Sequence, residues 1–460
     1  MATQIIDSDF FHKSWGTQEL RAIFEDRQRL QYWLDIEAAL AEVQAEIGMI
    51  PEEAAREIAA CCKLELLDWE FMTKDLAETG HVLVPLIRAV EKRCTNGHGE
   101  YVHFGATTQD IVDTGGVLAI RDATKILLRD AVRLEKALLA LAGKYKSFPM
   151  AGRTHHQQGL PITLGLKFAN FAAELRRCIE RVKDMSERSF VIALHGGVGT
   201  LASFGENAYA ILNGVAQKLR LGVPPTSWHT ARDGTAEYLA CMAMLAGNLG
   251  RIANEVLILS RTEVHELHEP LTKKSVGSST MPHKRNAMVC EMTVGQARIV
   301  HANAQVGFSS MIALHERDAR CYRTDLLTLP ETSMIVGRML EAVIFIIENL
   351  DIQEKNIARN LDFLGGVLLS EAVMFHLAKK LGKQTAHHIL HDLTVDHDFK
   401  AYPFRQRIKD TPEIMAVMTE EELESILDYG KYLGQSENEV ANTVAYCAER
   451  ARTDRQYMDM

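Results

Sequence analysis

The 460-residue sequence lacks the features that mark several classes of protein. Its eight cysteines form no CxxC pair, so neither a disulfide framework nor a zinc site is expected, and most should be buried or free thiols. No run of about 18 apolar residues is present, so no membrane-spanning helix is expected. The initial stretch MATQIIDSDFFHK has no basic start followed by an apolar run, which predicts a cytoplasmic protein without a signal peptide.

Positive charge is not in excess either. The formal net charge is −10, whereas a nucleic-acid-binding protein is expected to carry a basic stripe, so nucleic acid is not an expected partner. An acidic protein that binds a small di- or tricarboxylate must concentrate positive charge locally. Hydrophobic residues make up 47% of the chain, which is enough for a large core, and the length suggests about three domains.

Strand signals are nearly absent, and apolar residues instead repeat at helical spacing. The stripes run through Leu127, Ala131, Leu134, Leu138 and Leu141, and again through Leu245, Leu249, Ile252, Val256 and Leu259. Such stripes predict long helices packed in a bundle from about residue 113 onward. Before them, a helical pattern extends from Leu20 to Ile47, and shorter helices are expected near the end of the chain.

One stretch combines flexible, rigid and cationic residues in that order. Residues 275–286 read SVGSSTMPHKRN. The first residues are small and flexible, Pro282 then stiffens the backbone, and Lys284 and Arg285 follow. This order suits a loop that closes over an anion, and the simpler interpretation is a surface loop with a solvated basic end.

The GSSTMPHKRN part of this stretch resembles the signature loop GSSxMPxKxN of the fumarase/aspartase superfamily. Ala287 stands where a proline often follows the asparagine. Further segments resemble the same family in the expected order, namely HFGATTQD, GRTHHQQGLP, HGGVGT and HERD. The residues of these segments are similar to those of the adenylosuccinate lyase and carboxymuconate cycloisomerase branches.

The resemblance implies an all-α protein with the three-domain fumarase/aspartase-like fold. Its parts would be an N-terminal helical domain (1–112), a central long-helix bundle (113–352) and a C-terminal helical domain (353–460). The central domains would form the core of a homotetramer, in which each active site gathers segments from three subunits. The family needs no metal or cofactor, so none is expected, although His387, His388 and His391 offer a metal-ligand spacing as the alternative to a surface helix.

The resemblance also implies a set of catalytic residues. Ser278 corresponds to the general base and His155 to the general acid, while Glu291 corresponds to the carboxylate that orients the acid histidine. Lys284 and Asn286 would stabilise the charge that develops on the substrate carboxylate. The simpler interpretations are that His155 is a turn residue and that Glu291 is a surface glutamate.

A second set of residues is expected to bind the substrate. Thr107 and Thr108 precede a helix N-terminus, where hydroxyl donors and the helix dipole favour an anion, and the simpler interpretation is a helix cap. His81 resembles an active-site histidine of the family, with a structural histidine as the alternative. Arg320 and Arg323 add donors for an extra carboxylate, or else form solvated charge pairs.

Three local features lead to structural predictions. Pro161 is expected to open the helix after the His155 segment. The glycine-rich turn at 195–200 indicates close backbone approach rather than a nucleotide loop, because it lacks both the full GxGxxG pattern and a Walker lysine. Arg232 and Asp233 are expected to form a local ion pair at a helix start, and Arg232 helps to position the active site.

The first functional hypothesis is a carbon–nitrogen lyase that splits an N-substituted aspartate into fumarate and an amine. A nucleotide-bearing substrate is disfavoured, because residues 322–326 and Trp15-Gly16 differ from those that hold the nucleotide in adenylosuccinate lyases. The alternative is an enzyme like 3-carboxy-cis,cis-muconate cycloisomerase, which the Trp-His-Thr lead-in at 228–230 and the added arginines favour. A third possibility is a non-catalytic homologue such as a lens crystallin, against which the intact catalytic set argues.

Overall fold

The computed structural model describes residues 4–271, 278–395, 398 and 401–460. Within these residues the chain is mostly helical, with two short antiparallel strand pairs. The N-terminal helices are α1 (Gln18–Phe24), α2 (Asp26–Glu46), α3 (Glu52–Cys61), α4 (Trp69–Thr79) and α5 (Val84–Arg93). The middle of the chain contains α6 (Thr108–Lys144), α7 (Leu164–Ser189), α8 (Ala208–Leu219), α9 (Asp233–Leu259), α10 (Met288–Ser310) and α11 (Ala319–Glu348).

The remaining helices are shorter, as the sequence predicts. They are α12 (Glu354–Leu361), α13 (Ser370–Leu381), α14 (Lys383–Thr394), α15 (Phe404–Lys409), α16 (Pro412–Met415), α17 (Glu420–Ile426), α18 (Ser436–Arg450) and α19 (Asp454–Met458). The strands are β1 (Pro149–Thr154), β2 (Gln157–Thr163), β3 (Leu267–His268) and β4 (Asp351–Ile352), paired as β1–β2 and β3–β4.

The long helices form the predicted bundle. Helix α9 packs against α7, α10 and α11, and α6 packs against α7 and α11. The apolar stripes lie in the core, with Leu134 and Leu138 on α6 and Leu249 and Ile252 on α9 fully buried. Helix α9 is long and apolar enough to cross a membrane by length and composition alone, but 56% of its most apolar window is buried inside the protein, which is typical of a core helix.

The N-terminal helical pattern is interrupted, contrary to the single helix expected from Leu20 to Ile47. Helix α1 ends at Phe24, and Glu25 adopts an extended conformation before α2 begins at Asp26. The extended conformation of Glu25 changes the direction of the chain between the two helices. Its carbonyl accepts the N–H of Arg29, which is the first helical hydrogen bond of α2. Apolar periodicity continues across the break, so the pattern alone does not reveal it.

The two ends of the chain attach to the bundle differently. Helix α2 packs on α6 and shares the main core, whereas residues between 369 and 427 bury a second apolar cluster of their own. Helix α19 returns to the bundle through Arg176, whose Nη1 donates to Asp454 Oδ1 at 2.8 Å and whose Nε donates to Glu135 Oε1 at 2.7 Å. The three-domain boundaries stay a prediction, and the first of them falls inside α6.

The segment after α6 is a β-hairpin, so the prediction that Pro161 opens a helix is wrong. Pro161 lies in β2 opposite Ala151, and α7 begins only at Leu164. Thr163 caps that helix by accepting the backbone N–H of Leu166 at 3.1 Å. Proline is compatible with a short, two-stranded ribbon because such a ribbon leaves one side of each strand without a ladder partner.

The cysteines behave as predicted. All eight are free, and seven of them are buried, with Cys94 half-buried. Burial raises the pKa of the Cys178 thiol to about 11, which keeps it in the neutral form.

Candidate active site

The described part of the signature loop begins at Ser278, and residues 275–277 lie outside the described residues. Ser278 is half-buried. Its Oγ accepts the backbone N–H of Met281 at 3.0 Å and that of Thr280 at 3.4 Å. Donors aimed at a hydroxyl oxygen stabilise the form that has lost its proton, so this geometry suits a serine that acts as a base.

The cationic end of the loop divides into an anchored and an unanchored residue. Arg285 lies 3.3 Å from Asp351 Oδ2 on β4 and also donates to the carbonyl of Glu269 at 3.4 Å. Lys284 is exposed, and within the described part of the chain it has no ion pair. Asn286 is half-buried just before α10. An anion that approaches the loop would therefore meet Lys284 rather than Arg285.

His155 lies at the tip of the β1–β2 hairpin. It forms the two-residue loop with His156, between the paired residues Thr154 and Gln157. The φ angles of His155 and His156 are 51° and 65°, and both side chains are exposed. A two-residue loop with positive φ at both positions matches the twist of the flanking strands, so it can be short. The interpretation of His155 as a turn residue is therefore correct for its backbone, while its ring remains accessible.

The threonine pair and His81 lie together. Thr107 caps α6, and its N–H donates to Asp110 Oδ2 at 2.9 Å. His81 Nδ1 accepts the N–H of Val84 at 3.2 Å, and His81 Nε2 lies 3.4 Å from Thr108 Oγ1. Because Nδ1 accepts, a neutral His81 carries its proton on Nε2 and donates to Thr108, which leaves the Thr108 hydroxyl hydrogen free for a ligand oxygen.

Asp110 is the main residue of this region that the sequence did not reveal. It is fully buried, and its carboxylate accepts the N–H of His195 at 2.8 Å and of Gly196 at 3.0 Å. His229 Nε2 lies 2.9 Å from Asp110 Oδ1, and Thr107 binds the other oxygen. Asp110 thus fastens the Thr107 cap to the glycine-rich turn and to the segment before α9. Only its position three residues after a threonine, a capping signal, marked it in the sequence.

The glycine-rich turn makes the close backbone approach that was predicted. Besides the bonds from His195 and Gly196 to Asp110, Gly199 has a φ of +83°, and a Cβ there would lie 2.8 Å from Ser227 Cβ. Burial lowers the pKa of His195, so its ring is neutral in the ordinary pH range.

Arg232 forms a different ion pair from the one predicted. Its guanidinium donates to Asp113 Oδ2 at 2.7 Å and also binds Asp325, while Asp233 next to it is exposed. Arg232 is buried, and a buried charge requires partners on several elements rather than one flexible neighbour. It joins α6, α11 and the start of α9, because Asp113 and Asp325 lie on the first two of these helices.

The two candidate arginines in the first turns of α11, Arg320 and Arg323, differ in their contacts. Arg320 Nε donates to Asp318 Oδ1 at 2.9 Å and its Nη2 donates to Asp318 Oδ2 at 2.6 Å, so one face of the guanidinium is occupied. The Arg320 guanidinium holds the pKa of the Asp318 carboxyl below its usual range. Arg323 is exposed and has no ion pair to a described residue.

Over the described residues, no hydrogen bond or ion pair joins the threonine pair, the hairpin histidine and the signature loop to one another. Thr107, Thr108 and His81 are one group, His155 stands on the hairpin, and the loop residues adjoin Glu291 in the first turn of α10. Glu291 is exposed, and over the described residues no hydrogen bond joins it to His155. The acid and its predicted orienting carboxylate are therefore not paired within a single chain.

The C-terminal histidines stack without forming a metal-like cluster. The rings of His387 and His391 on α14 have centroids 6.2 Å apart. Across the described ranges, no group of three or more His, Cys, Asp or Glu side chains is placed to hold a metal ion.

A helical bundle that presents a serine loop, a histidine hairpin and a capped threonine pair defines an enzyme of the lyase type. Residues 13–301 match the family described as Lyase, and residues 366–443 match the family described as Adenylosuccinate lyase C-terminus. The chain belongs to the fumarase/aspartase superfamily, in its adenylosuccinate lyase and carboxymuconate cycloisomerase-like branch. The predicted family and all-α fold are thereby confirmed.

Three relatives illustrate the range of chemistry in this branch. The chain is 38% identical to N-acetyl-S-(2-succino)cysteine lyase of Enterococcus italicus, covering 97% of this chain and 98% of that one. It is 36% identical to adenylosuccinate lyase of Methanothermobacter thermautotrophicus, covering 92% and 95%. The crystal structure of 3-carboxy-cis,cis-muconate lactonizing enzyme from Pseudomonas putida superposes with a TM-score of 0.90 at 34% identity, covering 96% of this chain and 100% of that one.

Proposed function

We propose that this enzyme catalyses a β-elimination that releases fumarate from a 2-succino thioether, with a thiol as the leaving group. The signature loop is proposed to carry the elimination, because Ser278 Oγ accepts two backbone N–H groups and the same loop holds Lys284, which has no ion pair to a described residue. We propose a thiol as the leaving group because nearly the whole chain is similar to N-acetyl-S-(2-succino)cysteine lyase.

The first step is removal of a proton from the carbon next to a carboxylate. Ser278 takes this proton as general base, and the negative charge spreads onto the carboxylate oxygens. Lys284 and Asn286 lie a few residues further along the same loop, where a cation and an amide stabilise that charge. The N–H groups of Thr280 and Met281 favour an ionised Ser278, which a free serine in water would not supply.

The second step breaks the carbon–sulfur bond. The electron pair left by the proton forms the double bond of fumarate, and the sulfur leaves with the bonding pair. His155, oriented by Glu291, gives the leaving group a proton. Because these two side chains are not paired within one chain, we propose that they meet in a cytoplasmic homotetramer, where neighbouring subunits contribute to each site.

The substrate carboxylate distant from the reacting carbon is assigned to the α6 N-terminus. Thr107 and Thr108 present hydroxyls at a helix N-terminus, where N–H groups and the dipole favour an anion. His81 holds Thr108 from behind through Nε2, which aims the threonine hydroxyl hydrogen outward. This arrangement supports a dicarboxylate substrate.

Two observations favour a small leaving group over a nucleotide or a third carboxylate. Trp15, at a position where adenylosuccinate lyases hold the nucleotide, packs against the main core instead. Arg320 is engaged by Asp318, which leaves fewer donors for the extra carboxylate of a muconate.

Elimination from an N-substituted aspartate is the second candidate, since the same base and acid serve an amine. Lactone cycloisomerisation is the third, and the match to the lactonizing enzyme favours it.

The test is the ultraviolet absorbance of fumarate, followed with a panel of substrates. The panel contains an S-(2-succino) thioether, an N-substituted aspartate, adenylosuccinate, argininosuccinate and 3-carboxymuconate. We expect fumarate from the thioether at the highest kcat/KM. Fumarate from an amine substrate alone would establish the second candidate, and loss of the muconate diene signal alone would establish the third.

The base is tested by Ser278→Ala, with Ser279→Ala as the matched control in the same loop. We expect Ser278→Ala to lower kcat by at least about 10³-fold while fold and oligomer survive. Among the described residues, the Ser279 hydroxyl has one hydrogen-bond contact, with the Thr280 hydroxyl at 3.4 Å, so its replacement should leave most activity. Near-normal turnover by Ser278→Ala would remove Ser278 as the base.

A further inference from the structure

The strands of the His155 hairpin are both held by one buried cluster. Arg153 on β1 and Gln158 on β2 face each other in the register, as the second pair below the turn, after Thr154 and Gln157. Arg153 Nη1 donates to Glu266 Oε2 at 2.9 Å and its Nη2 donates to Glu266 Oε1 at 2.5 Å. Gln158 Nε2 donates to the carbonyl of Asn360 at 2.9 Å, and Asn360 Nδ2 donates to Glu266 Oε1 at 2.9 Å.

The Glu266–Asn360 pair is itself fixed to the surrounding backbone. Glu266 is fully buried, and its carbonyl accepts the N–H of Gln353 at 2.9 Å. Asn360 is also buried and donates to the carbonyl of Val264 at 2.7 Å. Both residues therefore have little freedom, and a hairpin bonded to them inherits a defined direction.

The hairpin tip needs such support. His155 and His156 both have positive φ, which residues other than glycine and asparagine seldom adopt. This backbone conformation costs about 1 kcal/mol for each residue. Neither histidine has a hydrogen bond to a described residue. The direction of the tip is thus set by the strands that carry it, which Arg153 and Gln158 hold to the buried cluster. It is not set by hydrogen bonds of the two histidines.

We infer that Glu266 is a positioning residue for the proton transfer by His155, acting through Arg153. The inference rests on the proposed function, in which His155 is the acid. A buried ion pair contributes little net stability compared with apolar side chains of similar volume, whereas its bidentate geometry fixes orientation. An acid that is displaced by about 1 Å can lose about 10²-fold in rate, so the direction of the hairpin matters for turnover.

The test compares Glu266→Gln with wild type on a series of S-(2-succino) thioethers whose thiols differ in pKa. A poor leaving group depends on protonation by the acid, and a good one departs without it. We expect kcat to fall about 10- to 100-fold for the least acidic thiol and much less for the most acidic, with KM nearly unchanged. An equal loss for all thioethers would mean a merely structural role and would overturn the inference.

The matched control is Glu135→Gln, which weakens another buried bidentate pair, that of Glu135 with Arg176. Arg176 lies twelve residues into α7, about 18 Å along the helix from the hairpin. This variant should lose stability without changing the dependence of kcat on the leaving group. In the double variant Arg153→Gln/Glu266→Gln the loss should not exceed that of the worse single variant, because both act through one contact.

A second measurement does not depend on the substrate. Hydrogen–deuterium exchange of the segment 149–163 should be faster in Glu266→Gln than in wild type or in Glu135→Gln. Unchanged exchange there would overturn the inference even in an active enzyme. Should the wild type consume no thioether, the proposed function fails, and faster exchange would still establish the positioning of the hairpin. If Glu266→Gln does not fold, Arg153→Lys keeps the charge next to Glu266 but loses the bidentate contact, and it takes the place of Glu266→Gln in both measurements.

Discussion

Replacement of Asp110 by asparagine isolates the contribution of a single buried carboxylate to the fold around the threonine pair. Both oxygens of Asp110 are acceptors: Oδ1 faces His195 N–H and His229 Nε2, and Oδ2 faces the N–H groups of Gly196 and Thr107. Asparagine has one acceptor and one NH₂ donor. With the NH₂ at the Oδ1 position the His195 N–H loses its acceptor, and with the NH₂ at the Oδ2 position the Thr107 N–H loses its acceptor. Gly196 N–H lies within 3.3 Å of both oxygens and His229 Nε2 also lies 3.1 Å from the Ala193 carbonyl, so these two groups keep a partner.

The magnitude follows from that count. A buried donor without an acceptor costs about 1–3 kcal/mol, and either amide orientation leaves one such donor. Asp233→Asn is the matched control, because Asp233 also lies in the first turn of a long helix but is exposed. Its loss is limited to the interaction with the helix dipole, about 0.3–1 kcal/mol.

The assay is urea unfolding of both variants and wild type at one fixed protein concentration, followed by circular dichroism. We expect Asp110→Asn to lower the free energy of unfolding by several times the amount lost in Asp233→Asn. Its residual activity should also fall, because Thr107 and Thr108 lose their anchor to the glycine-rich turn. If Asp110→Asn loses no more free energy of unfolding than Asp233→Asn, the hydrogen bonds of Asp110 do not stabilise the fold as inferred.

Two further predictions concern other buried charges. Asp454→Asn removes one carboxylate from buried Arg176, which keeps its bonds to Glu135 and Glu180. The variant should cost about 1–3 kcal/mol in urea unfolding, because the weakened hydrogen bonds involve a buried charge, and no measurable loss would contradict this. Burial lowers the pKa of His103, but its 2.6 Å hydrogen bond to Glu37 outweighs burial and raises that pKa above the usual value. The contribution of His103 to stability is therefore complete below the unfolded pKa of about 6.5 and is lost as the pH rises through the raised folded-state pKa. The difference in unfolding free energy between wild type and His103→Gln should shrink as the pH rises above about 6.5, and a constant difference would contradict the assignment.

The candidate site segments could be recognised in the sequence because each is short and contiguous. The signature loop, the Thr107 segment and the hairpin segment each hold their candidate residues within a few positions, and the roles of these residues stay predictions. The long helices could also be predicted, since stripes such as Leu245 to Leu259 repeat over many turns. The hydrogen bonds and ion pairs that link these segments could not be predicted, because they join distant parts of the chain.

Asp110 and Glu266 illustrate the difficulty. The partners of Asp110 at His195 and His229 lie 85 and 119 positions further along the chain. Glu266 meets Arg153 across 113 positions. No spacing rule within one element connects such residues. In a chain with many acidic residues, the sequence does not show which of them are buried. The hairpin was missed for a local reason: Gly152, Gly159 and Pro161 interrupt the alternation that identifies strands.

The separation of the candidate residues within one chain is consistent with the exposed apolar surface of the bundle. Helix α10 and the residues that follow it expose large apolar side chains, namely Met288, Met292, Val306, Phe308, Met311 and Ile312. Burial of apolar surface gains about 25 cal/mol per Å², so a face of this kind favours a covering partner. Glu291 lies on the same helix and is exposed with it. A second copy of the chain that covers α10 would therefore bring its own side chains to Glu291 and to the end of the signature loop. We expect the oligomer, and not the single chain, to be the catalytic unit.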